Sequence, residues 1–417
     1  MAYSDGELLI ASEAYAECGP PHALWTRLRR ESPVARFEPP HFEPFWAITK
    51  HAHICEISKQ PDLFLNSPGI VVLRDDQRLE RTEGIGAMRT IIEMDPPEHR
   101  SFRKVSSAWF TPRAVQRVRE AVDESARQLV DKLAGESGKG ECDFATDVAA
   151  AHPLRILSTI LGVPREEEPR ILKLTNQLFA ADDPELGRAA EDREAAFKQL
   201  GLELYQLFDK IIQERRAHPQ DDLASLLANG LVDGEPMGPM ETFGYYLITF
   251  TAGHDTTKNA LVGGMRAFLE NPAELEKLAR DPGLVNKAVE EVVRWTSPVN
   301  YMKRTLARDA TIGGQRLKKG ENLVLFYASA NRDEEVFRDP FRFQVDRDPN
   351  PHLGFGIGEH FCLGANLARQ SQRALFRELA ARLEHAEPAG EPEQIASSFV
   401  VGLKHLPMRY RIRPRAA

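Results

Sequence analysis

The stretch PHLGFGIGEHFCLGANLAR, residues 351–369, decides how the rest of the chain is read. It passes from a glycine-rich loop into a segment of helical pattern, and a single cysteine, Cys362, stands between the two. Glycine lets the backbone take dihedrals closed to other residues and come close to a neighbour. Gly356, Gly358 and Gly364 therefore predict a loop wrapped around a bound group, with the cysteine sulfur as the atom that grips it. A helix beginning around Cys362 would direct free N–H groups and a partial positive charge at that sulfur, favouring the thiolate, the form that binds metal. A lone cysteine is more often a small buried hydrophobe, and His360 alone is more often structural. The joint spacing carries the signal.

Upstream, LVNKAVEEVVRW (284–295) predicts a helix that stops before Ser297-Pro298, with Glu291 and Arg294 three apart on one face. Met240–Glu270 predicts one long helix closed by Asn271-Pro272. Its middle, TFTAGHDTTKN (249–259), lacks a clean apolar stripe, and its β-branched threonines and Gly253 predict a local distortion. From Pro112 to Trp295 apolar residues recur three and four apart, as in LYQLFDKIIQE (204–214). Strand-like pieces stand at Phe45–Thr49, Ala310–Leu317 and Asn322–Ser329. The fold class expected is mainly α with a small β region. No linker, repeat or composition shift divides the chain, so residues 1–417 read as one domain.

The formal net charge of −8, with basic residues scattered, argues against nucleic acid as a partner. Cys18, Cys55, Cys142 and Cys362 share no CxxC spacing, which fits a reducing cytosol better than a disulfide framework. The opening residues carry neither a basic n-region nor a long apolar core, and no apolar run approaches the ~18 residues that span a bilayer. A soluble, cytoplasmic protein with no membrane association is expected.

Phe355, Gly358, His360, Cys362 and Gly364 match the haem-binding signature of the cytochrome P450 superfamily, and the chain resembles its soluble bacterial class. The resemblance runs from the FWAIT strand to the final LPMRYRIR. It implies a triangular, helix-rich prism with a long central helix over the haem and a smaller β-rich lobe. It also implies haem b with Cys362 as axial ligand of the iron, whose thiolate pushes electron density toward the metal. Phe355 would pack beside the haem, and His99, Arg103, Arg304 and His360 would meet the propionates, with Gly364 part of the same cradle. Glu291, Arg294 and Arg347 would form a structural ionic triad; Gln344 stands where an aspartate is usual in that segment, which touches local hydrogen bonding only.

Ala252 to Thr257 resembles the family's oxygen-activation motif, which makes Asp255 and Thr256 the catalytic acid and alcohol that relay protons to O2. His254 is read as structural, because one residue's rotation of ~100° carries it off Asp255's face. Carried-over substrate positions are Ile248, Thr251, Ala252, Met302, Phe399 and Val400, an apolar pocket. TAGHDTT, SANRDEEVF and FVVGLKHLP look most like the branch that hydroxylates monoterpenes and alkyl-aromatics; fatty acids and steroids are the alternative substrates. No dinucleotide GxGxxG is present, so electrons are expected from a 2Fe-2S ferredoxin and its reductase, with Arg113 and Arg369 as docking contacts. Two other classes stand beside this one: a non-catalytic haem sensor, and a zinc hydrolase using Cys362 and His360. The acidic stretch 178–197 reads either as a lid or as a solvated helix pair.

Overall fold

A computed structural model describes residues 3–75, 77, 89–188 and 193–415. Its longest element is the helix Pro239–Glu270, whose 32 residues span about 48 Å. Pro239, in the first helical turn, arrives with its φ already set, and the Gly238 N–H donates to the Glu241 carboxylate at 2.7 Å. Asn271-Pro272 ends it. Buried residues stand on every side, so the helix runs through the interior and packs on the helices Ala151–Leu161, Arg193–Ala217 and Val285–Thr296.

The distortion expected in its middle does not interrupt it: residues 249–259 are helical throughout. The hydroxyls of Thr249, Thr251 and Thr256 each donate to the carbonyl four residues back, at 2.7 Å, so they are satisfied without opening the backbone ladder. Gly253 has a packing reason, since a Cβ there would come within 3.0 and 3.2 Å of the Leu157 methyls.

The principal sheet has five strands in the spatial order Val34–Phe37, Phe45–Ile48, Asn322–Phe326, Tyr301–Leu306, Phe64–Leu65. Leu323 sits opposite Trp46 in a parallel pairing and opposite Arg304 in an antiparallel one. A strand with a neighbour on each side and buried residues from Leu323 to Phe326 reads as a continuous apolar run, as observed. It ends sooner than the sequence suggests, because Tyr327–Ala330 turns into a short helix. Ala310–Ile312 and Gln315–Leu317 are two strands of a hairpin rather than one, joined through Gly313 and Gly314 at φ +54° and +81°. A separate three-stranded sheet joins Leu383–Pro388, Pro407–Ile412 and Lys139–Asp143.

The C-terminal helix begins at Ala365, three residues later than expected, after a single 3-10 turn at Gly358–His360. The acidic stretch follows the helix Glu168–Phe179 and enters Arg193–Ala217; between them Asp183 accepts the Ala396 N–H at 2.9 Å, and residues 189–192 lie outside the described residues. Among the described residues no helix is long and apolar enough to cross a membrane.

Candidate active site

Glycine conformation shapes the cysteine loop at two of the three expected positions. Gly356 and Gly358 take φ of +68° and +79°, and a Cβ on Gly358 would collide with the Ser58 carbonyl oxygen. Gly364 differs from expectation: its φ of −83° is ordinary, and a Cβ there would meet no atom of the protein. Its value is open space on the cavity side. The Cys362 N–H donates to the Phe355 carbonyl at 2.9 Å, closing the loop.

Cys362 is exposed and stands in the wall of a cavity inside the protein. Burial pushes its thiol up, while hydrogen bonds from the Gly364 and Ala365 backbone and the charges of Arg103 and Arg369 pull the other way. The helix N-terminus thus serves the sulfur from two and three residues downstream.

Behind the loop, Glu291 and Arg294 are fully buried and paired at 2.7 and 2.8 Å. Arg347 adds contacts of 3.1 and 3.0 Å to the same carboxylate. The arginines hand their remaining N–H groups to carbonyls of Asn331, Arg338, Asp339, Pro340 and Arg342, which fixes the segment leading to the loop. Gln344 contributes its backbone N–H to Glu291 at 2.9 Å, so this link does not depend on which side chain stands there.

The cavity holds about 250 Å³, and Cys362, His360, Phe355, Gly364, His99, Arg103 and Arg304 all form its wall. The His99 and His360 rings lie 4.1 Å apart. His360 Nε2 is buried with no hydrogen-bond partner, and His99 Nδ1, whose nearest carboxylate oxygen, Glu359 Oε1, is 3.7 Å away, is beyond hydrogen-bond distance of any partner as well. Burial and the nearby charges of Arg304, His99 and Arg103 push His360 down to about 2. Arg304 is buried, with one N–H on the Lys303 carbonyl at 2.8 Å, and Arg103 reaches the Phe361 carbonyl at 2.6 Å. Two orphaned imidazole nitrogens and two guanidinium groups on one wall suit a pair of carboxylates. Open space over Gly364 suits a flat macrocycle, so the residues present fit haem.

On the central helix, Thr256 is part of the cavity wall and Asp255 is not. The ~100° between neighbours, which set His254 apart in the sequence reading, separates Asp255 from Thr256 as well. Asp255 is 6% exposed and its Oδ2 has no hydrogen-bond partner. His254 comes back toward it, with Nδ1 3.4 Å from Asp255 Oδ1, while Nε2 is 3.1 Å from the Ala150 carbonyl. His254 therefore lies beside Asp255, because side chains one residue apart can still turn toward each other.

Ile248, Ala252 and Met302 are on the wall, but Thr251, Phe399 and Val400 are not. Thr251 points into the helix packing and is 1% exposed; Thr249 takes its place on the wall. Phe399 packs its ring 5.5 Å from that of Tyr301, and Val400 forms a bridge with Val299, which does line the cavity. Both lie one layer behind. Asn66, Ile92, Ile156, Leu157 and Tyr245 line the cavity without having been foreseen, since they come from segments with no motif of their own. Of the two arginines expected to meet a ferredoxin, Arg113 is exposed, whereas Arg369 is held by Glu290 at 2.7 and 2.8 Å. The zinc reading fails on geometry: among the described residues, the grouping of three ligand side chains is Glu185, Glu393 and His405, without Cys362.

The family model for cytochrome P450 matches residues 63–282 and 283–412. P450-terp of a Pseudomonas species is 37% identical over 413 residues, 96% of each chain. A methyl-branched lipid omega-hydroxylase of Mycobacterium bovis is 36% identical over 391 residues, 92% of this chain and 89% of that one. The structure of a Mycobacterium marinum cytochrome P450 in complex with pseudoionone superimposes with a TM-score of 0.87 at 33% identity, covering 98% of this chain and 99% of that chain. A thiolate loop, a buried ionic triad and a long helix passing over the cavity define a haem-thiolate enzyme. The chain belongs to the cytochrome P450 family, and is an O2-dependent monooxygenase that uses protoporphyrin IX haem.

Proposed function

We propose that this monooxygenase hydroxylates a small terpenoid or alkyl-aromatic substrate, with electrons from a 2Fe-2S ferredoxin and its reductase. The observation that carries the reading is the cavity opposite Cys362, walled by Ile92, Ile156, Leu157, Ile248, Val299 and Met302. Apolar walls hold such a substrate by shape and keep it desolvated, with few polar groups to orient it. Similarity to P450-terp and to the pseudoionone-bound enzyme supports a terpenoid.

Haem, when bound through Cys362, supplies the binding and reductive activation of O2 and the insertion of one oxygen atom into a C–H bond. The chain's own residues manage protons and water. Thr256 gives its hydroxyl hydrogen to the Ala252 carbonyl, so its lone pairs face the cavity ready to hold a water. Asp255, one residue back with a free carboxylate oxygen, delivers a proton to that water from the protein side. Arg113 is the docking contact offered to a ferredoxin by charge.

The test is a turnover panel with a surrogate ferredoxin and reductase: monoterpenes, alkylbenzenes, a methyl-branched fatty acid and a steroid. Product from the first two groups supports the proposal. Product only from the branched acid would favour the second reading, terminal hydroxylation of a methyl-branched chain, which the lipid hydroxylase relative supports.

A further inference from the structure

Glu290 and Glu291 are neighbours on the helix Val285–Thr296, and a rotation of ~100° per residue sends them to different partners. Glu291 serves the ionic triad. Glu290 faces the cysteine loop and grips Arg369 with both oxygens, Nε to Oε1 at 2.7 Å and Nη2 to Oε2 at 2.8 Å. Its Oε2 is also 3.0 Å from His352 Nε2. The Gly354 N–H donates to His352 Nδ1 at 3.2 Å, which leaves that nitrogen as acceptor and places the ring proton on Nε2, aimed at Glu290. Burial alone would raise the Glu290 carboxyl, but the hydrogen bonds from His352 and Arg369 and the Arg369 charge outweigh it and pull it down to about 2. The pair is charged at neutral pH.

Held this way, the Arg369 guanidinium carbon stands 4.4 Å from the centroid of the Phe355 ring. Phe355 in turn accepts the Cys362 N–H. A planar, forked cation can take a carboxylate edge-on and an aromatic ring face-on at once, which an ammonium cannot. Arg369 is 21% exposed, and two of its three nitrogens, Nε and Nη2, are occupied from inside by Glu290.

We propose that Glu290, backed by His352, positions Arg369 as a fixed cation against Phe355, and that this cation tunes how strongly the Cys362 sulfur donates electron density. The inference rests on Cys362 being the axial ligand. A positive charge near a thiolate holds electron density on the sulfur and makes the bound iron easier to reduce; groups one layer out from a metal ligand act in this way. Arg369 is a positioning residue for the reaction, distinct from a docking contact.

The test uses haem-loaded wild type, R369Q, R369K and E290Q. It reads the reduction potential, the spectrum of the ferrous CO complex, and KM for a ferredoxin. R369Q is expected to keep the red-shifted thiolate band while its reduction equilibrium falls roughly tenfold, ~59 mV for one electron. R369K should fall between it and wild type, and E290Q, which removes the carboxylate that holds and offsets the cation, should move the potential away from the wild-type value. An unchanged potential in R369Q with the thiolate band intact overturns the proposal, and a raised ferredoxin KM with that unchanged potential assigns Arg369 to docking instead. Should R369Q fail to fold, unchanged potentials in both R369K and E290Q overturn it equally. Absence of the thiolate band in wild type is the separate failure of the ligand reading.

Discussion

Arg347 Nε lies 3.1 and 3.0 Å from the two oxygens of Glu291, and both side chains are buried. Arg294 holds the same carboxylate from its own helix, so one negative charge neutralises two cations that have no other acid partner nearby among the described residues. E291Q leaves both guanidinium groups buried and unpaired, at a cost of roughly 3–5 kcal/mol. Its urea midpoint should fall well below that of wild type and its haem content should drop. A midpoint within error of wild type would remove the triad as the support of the loop.

C362S should bind haem weakly or through another ligand, because a hydroxyl is a poor substitute for thiolate at neutral pH. The red-shifted Soret band of the reduced CO complex is expected in wild type and absent in C362S, with monooxygenation lost. Retention of that band in the variant would exclude Cys362 as ligand.

T256A removes the hydroxyl that faces the cavity, and D255N removes the carboxylate proposed to donate the proton behind it. Product formation should fall roughly 10²-fold in D255N, within the range usual for losing a general acid. T256A should keep electron consumption but divert it to peroxide. The ratio of product to reductant consumed separates the two outcomes.

Ile248 contributes apolar wall beside the central helix. I248A should weaken binding of a small terpene by roughly tenfold, the scale of a lost hydrophobic contact, and improve that of a bulkier substrate. Spin-state titrations with both ligands measure this directly.

His152 is fully buried, with Nδ1 2.9 Å from Ser125 Oγ and Nε2 3.0 Å from the Ser371 carbonyl. Burial, opposed by the Ser371 bond and Asp123, pushes it down to about 4 from 6.5. The folded state therefore binds this proton less readily than the unfolded one. Stability should be full above pH 6.5 and decline as pH falls from 6.5 to 4, by up to about 1.4 kcal/mol per unit, with no further loss from this group below. H152N should flatten that part of the stability curve.

Which positions were legible follows from how local their signals are. The cysteine loop, the Glu-x-x-Arg pair and the long helix each lie within a short run of chain, and their resemblance to a family carried His99, Arg103 and Arg304 to the same cavity. Among the expected pocket residues the misplacements were of side-chain direction. Thr251 adjoins Ala252 of the wall, and Phe399 and Val400 pack on Tyr301 and pair with Val299, yet none of the three reaches the cavity. Arg369 looked like a free cation because its partner, Glu290, is 79 residues away in sequence. No spacing reveals that partner.

By itself the sequence determined the principal helices and the cysteine loop, since helix period and glycine placement act over a few residues. Tertiary structure alone decided which neighbours of a motif reach the cavity and which cation is locked by which acid. Those outcomes depend on the rotation of each helix against elements far along the chain, where ~100° per residue turns a wall position into a core position.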